Sequence, residues 1–250
     1  MNKEKLEVLV LENRPALGKT AAGMVAEKIK ELLLHQPAIN IIFAAAPSQN
    51  EFLSALIADE AIEWHRINAF HMDEYLGLPS DAPQLFSSFL KQSIFNRVPF
   101  RSVNCIDGLA ADPEQECIRY AKLLQKYPAD VVCLGIGENT HIAFNDPHVA
   151  DFNDPQLVKT VELDTACRQQ QVNDGCFATI NDVPTHAITL TVPALTAAGY
   201  LYCMVPGANK AQAIRQTLNE EVSELYPSTI LKTHDHAVLF ADAASFSLME

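Results

Sequence analysis

Two short stretches gather side chains that can move protons. The first is Glu138-Asn139-Thr140-His141-Ile142-Ala143-Phe144-Asn145-Asp146-Pro147. His141 is an imidazole that titrates near neutral pH, and Asp146 is a carboxylate that can orient it. The second is Phe70-His71-Met72-Asp73-Glu74-Tyr75, with two carboxylates side by side. Neighbouring residues do not readily face one pocket, so one of Asp73 and Glu74 suits chemistry and the other structure. Separate imidazole and carboxylate groups over one cleft are the equipment of general acid–base catalysis.

These groups need elements to hold them. Val131-Val132-Cys133-Leu134 is a short apolar run, as in a strand buried on both faces. It breaks at Gly135 and Gly137, where the backbone can turn tightly or approach a ligand closely. Polar residues past the carboxyl end of such a strand mark the ligand side of an open α/β sheet. Trp64 to Phe70 reads as another strand, with Asp73 just beyond its end. Ile39 to Ala46 reads as a third, running into a helix from Pro47-Ser48 to Ala61. A helix start directly after a strand is a ready anion site, although an ordinary capped helix would look the same. Tyr200 to Val205 is a further strand, and Pro206-Gly207-Ala208-Asn209-Lys210 opens a helix through Leu218. A lysine at a helix start opposes the dipole unless an anion sits there too.

The remaining chain fits the same alternation. A first strand covers Leu6 to Leu11, and helical spacing runs over 15–35 until Pro37. Residues 83–95 predict a helix. Asp112 caps another, with Pro113 in its first turn, ending before Pro128. Val158 to Leu163 predicts an edge strand, Arg168 to Gly175 a polar mobile loop or lid, and His186 to Val192 a strand. His234-Asp235-His236 invites a metal reading but has no third ligand nearby, so a polar turn fits better. Strands alternating with helices predict an α/β protein, a mostly parallel sheet with helices on both faces, in one domain over 1–250.

The chain has 250 residues, 48% apolar and 20% charged, with a formal net charge of −13. That is ample for a large core and leaves no basic stripe for nucleic acid. No apolar run is long enough to span a membrane, and Met1-Asn2-Lys3-Glu4-Lys5-Leu6-Glu7 lacks the core of a signal peptide. The expectation is a cytoplasmic protein. Its six cysteines form no Cys-x-x-Cys pair and read as reduced thiols.

The chain resembles the glucosamine-6-phosphate deaminase/isomerase family, whose wider group includes the 6-phosphogluconolactonases. Met72 to Leu78 matches that family's Met-Asp-Glu-Tyr-x-Gly-Leu segment. Gly135 to Pro147 matches its Gly-x-Gly-x-(Asp/Asn)-Gly-His-Ile-(Ala/Gly)-Phe-Asn-(Glu/Asp)-Pro segment, except at Thr140. The resemblance implies a Rossmann-like fold and a sugar-phosphate substrate. It implies isomerisation of an amino sugar phosphate with loss of ammonia, without metal or cofactor. It selects Asp73 as the base, with His141 opening the sugar ring, Asp146 orienting it and Asn139 helping to position the pair. It carries phosphate binding to Lys210 and, by position only, to the loop with Ser48, where the family's Gly-Gly-Thr-Pro has become Ala45-Ala46-Pro47-Ser48 or thereabouts. Arg168 lies near where the family places a phosphate arginine, without a clear match. Thr140 stands where the family has glycine, and its β-carbon is expected to narrow the pocket.

Two other readings compete. A sugar-phosphate lactonase would also use a histidine in the glycine-rich loop, but needs no base like Asp73. A sugar-phosphate sensor would need no such trio as Asp73, His141 and Asp146. The epimer, glucosamine or galactosamine, stays open, as does a homo-oligomer.

Overall fold

The computed structural model describes residues 6–249, so the leader-free reading of Met1 to Lys5 lies outside the described residues. In chain order the elements are β1 (Glu7–Leu11), α1 (Arg14–His35), β2 (Ile39–Phe43), α2 (Asn50–Leu56), β3 (Ile67–His71), β4 (Asp73–Tyr75), α3 (Phe86–Leu90), β5 (Ser102–Asn104), α4 (Pro113–Lys126), β6 (Val131–Leu134), β7 (Val158–Glu162), α5 (Thr165–Asn173), β8 (His186–Leu190), α6 (Val192–Thr196), β9 (Tyr200–Val205), α7 (Ala211–Asn219) and β10 (Ala237–Asp242). No helix among the described residues is long and apolar enough to cross a membrane.

Seven strands form one sheet in the order β1-β10-β9-β6-β2-β3-β5, and every pairing in it is parallel. Successive residues of a strand point to opposite faces, so each central strand feeds two cores. Val131 and Cys133 of β6 pack with Ile41, Phe43 and Met204 under α1, α2 and α3. Val132 and Leu134 pack with Ile42, Leu201 and Cys203 under α4, α6 and α7. The expected parallel sheet with helices on both faces is therefore the architecture found.

Local chemistry sets the helix ends where the sequence places them. Asn13 accepts from the Ala16 amide at the start of α1, and Asp112 accepts from the amides of Glu114 and Gln115 at the start of α4.

Several expectations are corrected. Trp64 to Arg66 is a 3-10 turn, and the strand begins only at Ile67. The helix after Pro47 stops at Leu56. Residues 83–95 hold only a short α3 followed by a π turn, Lys91–Phe95. Residues 168–175 are mostly helix: α5 is capped by Asp164, whose carboxylate accepts from the Cys167 amide.

A small antiparallel sheet, in the order β4-β8-β7, stands beside the large one. It takes Asp73-Glu74-Tyr75, expected as a loop after β3, and clamps it against Ala187 to Thr189. β7 lies at its edge, as expected.

Candidate active site

The strands β9, β6, β2 and β3 are neighbours in the large sheet. Their carboxyl ends carry Lys210, His141, Ser48 and Asp73 respectively, and all four side chains line one cleft of ≈ 110 Å³. In a parallel sheet these ends lie together, which is where open α/β folds place ligands. A second cavity of ≈ 350 Å³, walled by Phe86, Phe89 and the amides of α5, shares Pro47, Phe86, Gln170 and Gln171 with the cleft.

The glycines after β6 sit where neighbours approach closely, tightly at Gly135 and prohibitively at Gly137. A β-carbon on Gly135 would stand 3.2 Å from Gln49 Nε2, 3.3 Å from Ser48 Oγ and 3.4 Å from Met204 O. One on Gly137 would fall 2.1–2.3 Å from the His141 ring. The imidazole therefore lies directly on the Gly137 backbone, and no other residue fits there.

His141 is held by a closed network. Its Nδ1 lies 2.6 Å from Asn139 Oδ1 and 3.0 Å from Asp146 Oδ1. Asn139 Nδ2 donates to the same Asp146 oxygen at 2.8 Å. Both partners of Nδ1 are oxygen acceptors, so Nδ1 carries the proton and Nε2 keeps a lone pair. Burial works to raise the Asp146 carboxyl, but the His141 charge and hydrogen bonds from His141 and Asn139 outweigh it and hold it below the ordinary value. Asn139 and Asp146 do not line the cleft; they stand behind His141.

Asp73 and Glu74 divide as adjacent strand residues must. Glu74 turns away and accepts from the amides of Tyr75, Phe86 and Ser87 at 2.9–3.0 Å. Asp73 faces the cleft, buried, and no donor among the described residues reaches its carboxylate. Burial, then the neighbouring Glu74 charge, pushes Asp73 well above the usual carboxylate range. His71 is a structural histidine: Nε2 accepts from the Ile106 amide at 2.9 Å, and burial drives its pKa down to about 3.

At the other end, Pro47–Gln49 forms a 3-10 turn into α2, and Ser48 Oγ accepts from Gln49 Nε2 at 3.0 Å. Lys210 is buried, and burial lowers its pKa, with Asp174 and Glu138 opposing. Thr140 does not line the cleft, so the expected narrowing is corrected. The residue is fully buried with φ of 71°, and its Oγ1 has no partner among the described residues, so the departure from glycine appears as backbone strain.

Sequence reasoning missed Arg14, Gln170, Gln171 and Asp174, which also line the cleft. Buried amides in a polar run look like a solvated loop, so α5 gave no signal. Arg168 is spent elsewhere: its Nη2 donates to the carbonyls of Ile180 and Val183, and it does not line the cleft.

Among the described residues, two side-chain groups could hold a cation: His141 with Asp146 and Cys167, and Asp146 with His148 and Asp164. In the first, a cation would displace the bonds that fix Nδ1. Burial, then the Asp146 and Asp164 charges, pushes the Cys167 thiol up, so it stays protonated. His234 and His236 belong to neither group; His234 Nε2 meets the Ala198 carbonyl in a turn before β10.

Residues 12–240 match the family described as glucosamine-6-phosphate isomerases/6-phosphogluconolactonase. The chain belongs to this enzyme family. A glucosamine-6-phosphate deaminase of Bacillus cereus (strain G9842) is 31% identical over 243 residues, covering 97% of this chain and 89% of that protein. A solved monomeric glucosamine-6-phosphate deaminase superposes with TM-score 0.88 at 28% identity, covering 97% of this chain and 99% of its own. A 6-phosphogluconolactonase from Thermotoga maritima shares the fold at TM-score 0.77 and 20% identity, over 95% and 99% of the two chains. Members of this family with different reactions thus share one sheet, and the side chains over the cleft must distinguish them.

Proposed function

We propose that this enzyme converts an amino sugar 6-phosphate, glucosamine 6-phosphate or an epimer such as galactosamine 6-phosphate, to a ketose 6-phosphate and ammonia. The observation that carries the reading is Asp73: a buried carboxylate with no donor among the described residues, in the same cleft as the His141 imidazole. Lactone opening has no use for such a base, whereas moving a proton between adjacent carbons does.

The steps follow from the groups present. His141 Nε2 takes the anomeric hydroxyl proton and returns a proton to the ring oxygen, giving the open-chain aldehyde. Asp146 and Asn139 keep Nδ1 protonated and stabilise the charge that His141 gains. Asp73 removes the proton from C2, the carbon bearing nitrogen, while the aldehyde oxygen takes a proton given up by the ammonium group, leaving an enolamine with a C1=C2 bond. Asp73 then delivers its proton to C1. The product carries a C2=N bond. Water adds to C2, ammonia leaves, and the ketose 6-phosphate remains. Lys210 and the Ser48 loop bind the phosphoryl group.

Asp73 has to be ionised to act. Its raised pKa means that activity falls, as pH drops, at a higher pH than an ordinary carboxylate would give. The test is ammonia release from glucosamine 6-phosphate and from galactosamine 6-phosphate, beside Asp73→Asn. Release with one sugar, lost in the variant, supports the reading and names the epimer. No release from either sugar, with a 6-phosphosugar lactone hydrolysed instead, overturns it.

A further inference from the structure

Arg14 is a second cation at the anion end of the cleft, and its donors are only partly spent. It is the first residue of α1, directly after the cap Asn13. A guanidinium carries five N–H groups in a planar fork. One edge is used: Nε donates to Glu51 Oε1 at 3.0 Å, and Nη2 donates to Glu51 Oε2 at 3.1 Å and to Pro47 O at 2.9 Å. The N–H groups of Nη1 meet no acceptor among the described residues.

The unused edge has a direction. A β-carbon built on Gly207 would stand 3.9 Å from Nη1. Gly207 begins the turn that carries Lys210, whose amide donates to the Gly207 carbonyl at 3.0 Å. Arg14 thus grips the Pro47 turn with one edge and turns the other toward the Lys210 turn, across the end of the cleft. Glu51 reduces the net charge there but locks the fork, so little side-chain freedom is lost when an anion arrives.

We propose that Arg14 Nη1 is, with Lys210, a direct ligand of the substrate's anionic group, and that the pair selects a phosphomonoester dianion. The assignment rests on the sugar-phosphate reading above. A phosphoryl group has oxygens for both cations at once, which a neutral sugar hydroxyl lacks.

The test uses Arg14→Gln, with two readouts. In calorimetric titration with inorganic phosphate, the variant is expected to bind about 10-fold more weakly than the native enzyme. In ammonia release from the active amino sugar phosphate, KM is expected to rise by about the same factor, while kcat falls far less. Unchanged phosphate affinity and unchanged KM overturn the assignment. If the native enzyme releases no ammonia but binds phosphate, and the variant binds it more weakly, the assignment stands while the deaminase reading fails. Should Arg14→Gln melt below the assay temperature, Arg14→Lys decides, because it keeps the charge and loses the fork. Weaker phosphate binding then supports the assignment, and native affinity overturns it.

Discussion

At the His141 end of the cleft the polar groups are bonded to one another. Asn139, Asp146 and the Gly137 backbone hold the imidazole from behind and below. At the other end the charged groups point into space. Lys210 Nζ and Arg14 Nη1 have no hydrogen-bond partner among the described residues, and Lys210 is buried. Acid–base chemistry needs a proton at a known atom, and the protein supplies both acceptors of His141 Nδ1, although Asp146 Oδ2 stays buried without a partner among the described residues. Anion binding, the role proposed for this end, needs donors left over, and unpartnered cations fit that role. Asp73 joins both styles: it is fixed by β4 in the sheet, yet its carboxylate is left without a donor.

If the division is right, the two ends fail in different ways. The largest effect belongs to Asp73→Asn. It should lower kcat by about 10³-fold, within the usual range for a lost general base, and leave phosphate affinity unchanged. Steady-state ammonia release with phosphate titration checks both halves. Loss of phosphate binding in this variant would show that the ends are not separable.

Asp146→Asn should come next, lowering kcat by about 10²-fold because His141 loses the acceptor that fixes its tautomer. Its stability has a sign as well. The folded-state pKa of Asp146 is depressed, so its contribution is present above the unfolded value and is lost as pH falls through the folded one. The variant should therefore lose less stability than the native enzyme on acidification, read from denaturant melts at descending pH.

Lys210→Met should raise KM about 10- to 100-fold and hardly touch kcat, the reverse of Asp73→Asn. Because burial lowers the Lys210 pKa, phosphate affinity in the native enzyme should weaken, as pH rises, sooner than an ordinary lysine would allow. A pH series of phosphate titrations reads this directly.

The smallest effect concerns neither end but the hydrogen-bonded turn from Gly137 to His141. Thr140→Gly removes a β-branched residue at positive φ and an unpartnered buried hydroxyl. It should stabilise the protein by about 1 kcal/mol, a rise in Tm of about 2–4 °C. An unchanged or lower Tm would mean that the buried side chain packs well enough to offset its strain.

Much of this site could be read from local pattern. Val131 to Leu134 followed by Gly135 and Gly137 is a strand that opens into a ligand loop, because burial on both faces demands a continuous apolar run and close approach demands glycine. Asp112-Pro113 fixed the start of α4 because capping acts within a few residues. Other features had no local signal. Helix α5 turns Gln170 and Gln171 inward, and buried amides read as solvent-facing in any hydrophobicity pattern. The three residues of β4 become a strand only by pairing with β8, far along the chain. Arg14 belongs to no local motif, and only the fold brings it to the cleft.

The amino acids alone determined which groups were available for proton transfer and which loops would follow the strands, since side-chain chemistry and short-range backbone preference are carried residue by residue. They could not decide which of these groups would meet. That followed from the order β9-β6-β2-β3, which sets four loop ends side by side although residues from Ser48 to Lys210 supply them. Only the folded sheet brought Arg14 and the α5 amides to the lining of that cleft, because distant segments meet only when burying both faces of the sheet leaves them nowhere else to pack.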